Sequence, residues 1–324
     1  MREVVHTKHF YRRLNWETMD IEYAHGWRED CTSLFNHLIT SAEEKYEFAE
    51  WWRTRRESLI RGDIGIITAT KEGTPVGFMT YVVQDDMGKL EACHVLDIPE
   101  KQAVAMGLLE QGVTFLRKRD DLRDISGELY YIAGPINPLA DYLRKAGARV
   151  YIRVGMIRTL DGVLPEPVLP EGYSLREWTL KDIPEVAAFF CQAFRDSVDL
   201  VFWEHFRQQE KAVTYIENVA RSTVWSHIPM TNTSIFHNEQ MCAATLCGIP
   251  EKNKGAIYIG VIREHRRKNL GSFLLTQALT AFQKAHFGTV GLEVTLHNAA
   301  GYQFFRNHGF RDSYRLIGYT FSSQ

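Results

Sequence analysis

The stretch VIREHRRKNLGS, from Val261 to Ser272, decides the reading of this chain. The apolar run before it, GAIYIGVI (255–262), reads as a buried strand. After it, Leu270, Leu274, Leu275, Ala278, Leu279 and Phe282 recur at spacings of three and four, which puts them on one stripe of a helix. The strand therefore ends in a short loop that opens into a helix near Asn269 to Gly271. The first turn of a helix has amides without intrahelical partners and the positive end of the dipole. Arg263, Arg266, Arg267 and Lys268 put four cations within six residues beside that turn. The combination describes an anion site of the phosphate or pyrophosphate kind. The alternative is a solvated basic helix start.

Working outward, VGLEVTL (290–296) is a second apolar strand. A strand, a helix and a strand in this order make a crossover unit, so the two strands are expected to be parallel. A short helix over 299–308 follows, then Gly309 as its stop and a last strand over 313–321. Upstream, TLKDIPEVAAFFCQAFRD (179–196) has Ile183, Val186, Ala187, Phe190 and Phe194 on one helix face, with Thr179 and Asp182 spaced as a capping pair.

The chain has 324 residues, room for two domains, and DGVLPEPVLPEG (161–172) holds three of the ten prolines. Such a stretch can continue neither a helix nor a central strand and reads as a linker. The halves it separates resemble each other at three places, each pair of stretches beginning 164 residues apart. TPVGFMTYVV (74–83) aligns with NEQMCAATLC (238–247), and residues 98–116 align with 262–282. Residues 127–157 align with 291–321, each reading strand, helix, glycine, strand. The expected organisation is a first domain over 1–160, a linker over 161–172 and a second domain over 173–324.

The net charge is −2, so no global field holds a nucleic-acid backbone. The arginine- and tryptophan-rich stretch 47–62 reads as an amphipathic helix whose arginine stems cover apolar surface, rather than an RNA surface. Five scattered cysteines without a C-x-x-C pair argue against a disulfide framework or a zinc site, and no histidine spacing suggests a metal. Neither a signal peptide nor a spanning segment is legible, so a cytoplasmic location is expected. No G-x-S-x-G elbow of a serine hydrolase is present.

The 261–272 stretch resembles the coenzyme-A-binding motif of the GNAT superfamily of N-acyltransferases, V-x-P-x-x-[RQ]-x-x-G-x-[GA]. Val261, Arg266 and Gly271 stand in register; Arg263 replaces the usual proline and Asn269 the first glycine. Asparagine is the next best residue for an unusual backbone angle. The following stretch is similar to the family's N-x-x-[AG]-x-x-x-Y-x-x-x-G-F and reads Asn298, Gly301, Phe305, Gly309, Phe310. The resemblance covers most of 172–324 and extends more weakly to 1–160. It implies an α/β fold of two tandem GNAT domains. Each would be a mixed, mostly antiparallel sheet with a splayed parallel strand pair and flanking helices.

The resemblance further implies that acetyl-CoA or a related acyl-CoA is bound in the second domain. The amides of Arg266, Arg267, Lys268, Asn269, Leu270 and Gly271 would hold the pyrophosphate, with Ser272 adjoining and Arg263 in the cation cluster. The pantetheine arm would lie along Val261, whose amide would polarise the thioester oxygen, with Asn298 on its other side. Phe305 stands where a family tyrosine gives a proton to the leaving thiolate, and it cannot do so. Tyr302 or His308 substitutes, or the thiolate leaves unassisted; the alternative is that Tyr302 is packed and His308 is surface. No base is written in the motif. Glu204 and His205, in FWEHFRQQE (202–210), are candidates to bind or deprotonate an amine, against a packing role for Phe202, Trp203 and Phe206. Tyr258 either reaches the cleft or is an ordinary strand aromatic, and His297 either faces it or is a satisfied polar residue.

The first copy keeps Pro99, Gln102 and Gly107 but has Asp97 and Ala105 at motif positions, no arginine cluster and an added Glu100. It is expected to keep the fold and bind coenzyme A poorly or not at all, serving as scaffold or as part of the acceptor cleft; the alternative is the reversed assignment, with the first copy active. The leading reading is an acetyltransferase acting on a primary amine of a small molecule, with a two-copy arrangement like the mycothiol synthase group. The alternatives are a non-catalytic coenzyme-A-binding module and transfer from a carrier protein's thioester. The oligomeric state is not legible.

Overall fold

A computed structural model describes residues 21–26, 31–44, 49–131, 134–220, 228, 231–251 and 254–321. The chain forms two compact units, 1–152 with 315–324, and 153–314. The proline-rich stretch 161–172 thus lies inside the second unit. Two long strands, β6 (Arg149–Thr159) and β12 (Arg311–Phe321), pass from one unit to the other along the chain.

In the first unit the sheet order is β1 (Ile21–His25), β2 (Gly65–Lys71), β3 (Thr74–Gln84), β4 (Met87–Val95), β5 (Asp124–Tyr131) and the end of β12. All neighbours are antiparallel except β4 and β5. Helices α1 (Thr32–Glu44) and α2 (Ala49–Arg61) cover one face, where Phe35 and Trp52 pack on Phe78. Arg55 of α2 pairs with Glu91 at 2.7 Å, so this part of the arginine-rich stretch serves its own unit. Helices α3 (Lys101–Arg117) and α4 (Asn137–Lys145) cover the other face around Leu108, Leu109, Leu129 and Leu143.

The second unit repeats that order with β7 (Ser174–Glu177), β8 (Thr233–His237), β9 (Gln240–Glu251), β10 (Lys254–Val261), β11 (Thr289–Thr295) and the end of β6. Only β10 and β11 are parallel, as the crossover argument required. Helices α5 (Ile183–Phe194) and α6 (Gln209–Ala220) pack on one face, α7 (Leu270–Lys284) and α8 (Ala299–Asn307) on the other. All six residues of the expected α7 stripe and all five of the α5 stripe are buried. Ahead of α5, the Asp182 carboxylate accepts the amide of Thr179 at 2.7 Å and its hydroxyl at 2.8 Å, closing a turn before the helix proper. The fold is the mixed, mostly antiparallel α/β architecture with a parallel pair that the sequence motifs imply.

Candidate functional site

In the second unit β10 and β11 are paired only from Lys254↔Thr289 to Ala256↔Gly291. Beyond Ala256, β10 follows β9 through Val261↔Ala243, while β11 follows β6 through Thr295↔Arg153. The strands therefore separate into a cleft. Ile262 donates its amide to Cys242 of β9 at 3.1 Å, and by the alternation of an antiparallel pair Gly260 and Tyr258 also turn their backbone to β9. The amides of Ile259 and Val261 then point into the cleft.

At the mouth of the cleft the chain makes a short turn over Arg263–His265 and then two left-handed residues, Arg267 at φ 64° and Asn269 at φ 61°. Asn269 precedes α7 and makes no side-chain cap. The first amides of α7 are left for an external acceptor. Arg263, Arg267, Lys268 and Asn269 are exposed, Gly271 and Ser272 half-buried, and Leu270 is buried in the core, so it contributes backbone alone. Among the described residues Arg263, Arg267 and Lys268 make no ion pair. Free amides, a left-handed turn and exposed cations fit a diphosphate.

Arg266 has a different place. Its Nε donates to the carbonyl of Val261 at 3.0 Å and its Nη2 to Ala193 at 3.2 Å. The guanidinium ties the end of β10 to the end of α5, which explains why a planar multiple donor suits this position. It shapes the loop, and its amide remains the part available to a ligand.

Asn298 caps α8 by accepting the Gly301 amide at 3.0 Å, and its Nδ2 donates to Asp199 at 2.8 Å. Asp199 is fully buried and also accepts the Thr295 amide at 2.8 Å and the Thr295 hydroxyl. Phe305 lies among Phe304 and Phe310, with ring centroids at 5.1 and 5.6 Å. The Tyr302 hydroxyl donates to Asp312 at 2.9 Å. His308 Nδ1 is 2.7 Å from the Phe304 carbonyl. Both substitutes for the missing tyrosine thus have structural partners.

Glu204 opens a short turn (Glu204–Arg207) and makes no side-chain hydrogen bond among the described residues. His205 stacks on Tyr215 with centroids 3.7 Å apart. Burial lowers its pKa to about 4, so it is neutral near physiological pH and a weak base. The Tyr215 hydroxyl donates to Tyr258 at 3.3 Å, and burial raises both phenols. Tyr258 turns to the α5–α6 face, where Trp203 meets it edge-on at 5.3 Å.

A charged group absent from the sequence expectations stands on the same face. Glu293, in the middle of β11, accepts the Tyr314 hydroxyl at 2.7 Å and lies 3.3 Å from Arg153. The Arg153 guanidinium sits 4.8 Å from the Phe202 ring centre. The available signal was one charged residue inside the apolar strand VGLEVTL.

The first unit is built differently at both features. Its parallel pair resumes beyond an irregularity, at Ala92↔Tyr130 and Cys93↔Tyr131. Between these points the Leu90 amide donates to the Tyr319 hydroxyl, which donates to the Leu90 carbonyl at 3.1 Å. Helix α3 begins at Lys101, so the residues aligned with the 265–271 loop are already helical. Gly107 is met by the Tyr23 hydroxyl, which would stand 2.0 Å from an added Cβ.

In the second unit a separated parallel pair thus opens beside an uncapped, cation-flanked helix start. Residues 187–310 match the model of the acetyltransferase (GNAT) family. Comparison with curated proteins finds no match. The chain is similar to a GCN5-related N-acetyltransferase from Sphaerobacter thermophilus, at 16% identity and a TM-score of 0.67, over 92% of this chain and 95% of that one. It is similar to a tandem GNAT protein from the clavulanic acid biosynthesis pathway, at 15% identity and 0.52, over 79% and 82%. It is also similar to a glucosamine N-acetyltransferase region of a fungal β-N-acetylglucosaminidase, at 15% identity and 0.58, over 93% of this chain and 38% of that one. Identities this low show a shared fold. Residues 187–310 thus carry a domain of the acetyltransferase (GNAT) family, and the structures similar in fold include N-acetyltransferases.

Proposed function

We propose that the chain transfers an acetyl group from acetyl-CoA to the primary amine of a small molecule, with the chemistry in the second unit. The observation that carries this is the end of β10–β11 pairing at Ala256↔Gly291, beside an α7 start that has no cap. The amides of Arg266 to Gly271, with Ser272, would hold the pyrophosphate, with Arg263, Arg267 and Lys268 adding charge. Val261, and Ile259 by the same alternation, would turn amides to the thioester oxygen. Coenzyme A supplies a thiol leaving group. The protein's own contribution is then to align the amine with it and to receive a proton.

The uninterrupted helix start and resumed pairing of the first unit support a scaffold role there. No described helix is long and apolar enough to cross a membrane. Among the described residues no disulfide joins two cysteines, which suits the cytoplasm.

A second reading, a coenzyme-A-binding module without catalysis, is favoured by the apolar setting of Phe305 and the Tyr302–Asp312 bond. A rise in melting temperature with acetyl-CoA, together with thiol release on adding amines, supports the first reading. Binding without release supports the second. No binding refutes both. Release from an acylated carrier protein but not from acetyl-CoA would assign the donor differently.

A further inference from the structure

Glu293 belongs to a strand with β10 on one side and β6 on the other, yet its side chain keeps 21% of its surface exposed. That exposure has a cause. The β10–β11 pairing ends at Gly291, two residues before it, so the separating strands open a way to the carboxylate. Counting on from Ala256↔Gly291, Glu293 stands level with Tyr258, one residue before Ile259, whose amide faces the cleft.

The groups facing it come from three strands. Arg153 of β6 lies 3.3 Å away, Tyr314 of β12 donates at 2.7 Å, and Tyr258 of β10, its phenol raised by burial and further by the nearby Glu293 charge, stands with Tyr215 behind it. Gly155, opposite Glu293 in the β6–β11 register, makes room for Tyr314, whose ring would be 2.1 Å from an added Cβ. Arg153 is 2% exposed and covered by Phe202, so it offers no charge to solvent. The reachable charge is therefore negative, and nearby surfaces are the rings of Phe202, Trp203 and Tyr258.

We infer that Glu293 anchors the acceptor's ammonium group and takes its proton, and that the acceptor carries this amine on an apolar or aromatic body. The assignment rests on the acyltransferase reading. The ammonium gives one proton to the Glu293 carboxylate, and the freed nitrogen pair attacks the thioester carbon. The C–N bond forms, the C–S bond breaks with its electron pair on sulfur, and the second nitrogen proton ends on the thiolate. Glu293 returns its proton to solvent. An amine held against a carboxylate beside aromatic rings is favoured by charge and cation–π attraction, whereas a polyhydroxylated amine would lose water without replacement partners.

The test uses the full chain, acetyl-CoA, 2-phenylethylamine and glucosamine. Transfer to 2-phenylethylamine, read as thiol release, is expected to exceed transfer to glucosamine by about tenfold or more in kcat/KM. Glu293→Gln is expected to lower kcat/KM for 2-phenylethylamine by about a hundredfold, with acetyl-CoA affinity unchanged within about threefold. Tyr314→Phe removes a donor to the carboxylate and moves the low-pH limb of kcat/KM to higher pH, which serves if the glutamine variant fails to fold. A protein that binds no acetyl-CoA overturns the acyltransferase reading, and this assignment with it. With acetyl-CoA bound, turnover of neither amine, preference for glucosamine, or an unmoved limb in Tyr314→Phe overturns the assignment alone.

Discussion

Asp199 and Thr295 are joined twice inside the second unit, the carboxylate accepting both the amide and the hydroxyl of the threonine. Thr295 ends β11, Asn298 starts α8, and Asp199 follows α5, so one buried carboxylate holds three elements at the floor of the cleft. Asp199→Ala leaves these donors buried without an acceptor. The expected loss is about 3–5 kcal/mol in chemical denaturation, with weaker acetyl-CoA binding in whatever remains folded. A loss below about 1 kcal/mol would show that the network is dispensable.

Asn269 holds φ at 61° with no cap bond to lose. Asn269→Gly is expected to keep stability and acetyl-CoA affinity. Asn269→Val is expected to cost about 1–2 kcal/mol and to weaken acetyl-CoA, because a branched side chain resists the left-handed region. Equal affinities for the two variants would exclude a role for that backbone shape.

The cations of the loop should separate into two kinds. Arg267→Glu with Lys268→Glu is expected to leave the melting temperature unchanged and to weaken acetyl-CoA by roughly tenfold or more, with a steep salt dependence. Arg266→Met is expected to lower the melting temperature, because the Val261 and Ala193 carbonyls lose their donor. Titration calorimetry beside thermal melts distinguishes them.

Ending the chain after Tyr314 should undo the first unit rather than the second. Ile317, Tyr319 and Phe321 are buried there, each contributing about 1.5–3 kcal/mol. Tyr319→Phe alone strips the hydroxyl from Leu90 and is expected to cost about 1–3 kcal/mol. Hydrogen exchange of β4 and β5 reads both effects; unchanged protection would refute them.

His205 has its pKa lowered from 6.5 to about 4 by burial. The folded protein therefore prefers the neutral ring more than the unfolded chain does. Its contribution to stability is complete above pH 6.5 and is lost progressively as pH falls toward 4. His205→Phe should flatten the melting temperature across that window. An identical acid profile in the variant would place the sensitivity elsewhere.

Local chemistry made much of this chain legible. The α7 stripe from Leu270 to Phe282 is a period carried by neighbouring residues, and so is the Thr179–Asp182 turn. Gly309 ends α8 at φ 79°, as a residue without a Cβ can. The loop from Val261 to Ser272 is likewise contiguous, so its cations and its left-handed asparagine could be read in order.

What the sequence by itself determined were these elements, their order and the cation-rich loop before α7, because each depends on spacings of a few residues. Only the tertiary structure decided which residues stand around the cleft. Arg153, Glu293 and Tyr314 are scattered along the chain, and they meet because β6, β11 and β12 pack there and β10 turns away. It also decided that Arg266 braces the loop and that 315–324 completes the first unit. Strand pairing and charge burial are settled by distant partners, and no local period records them.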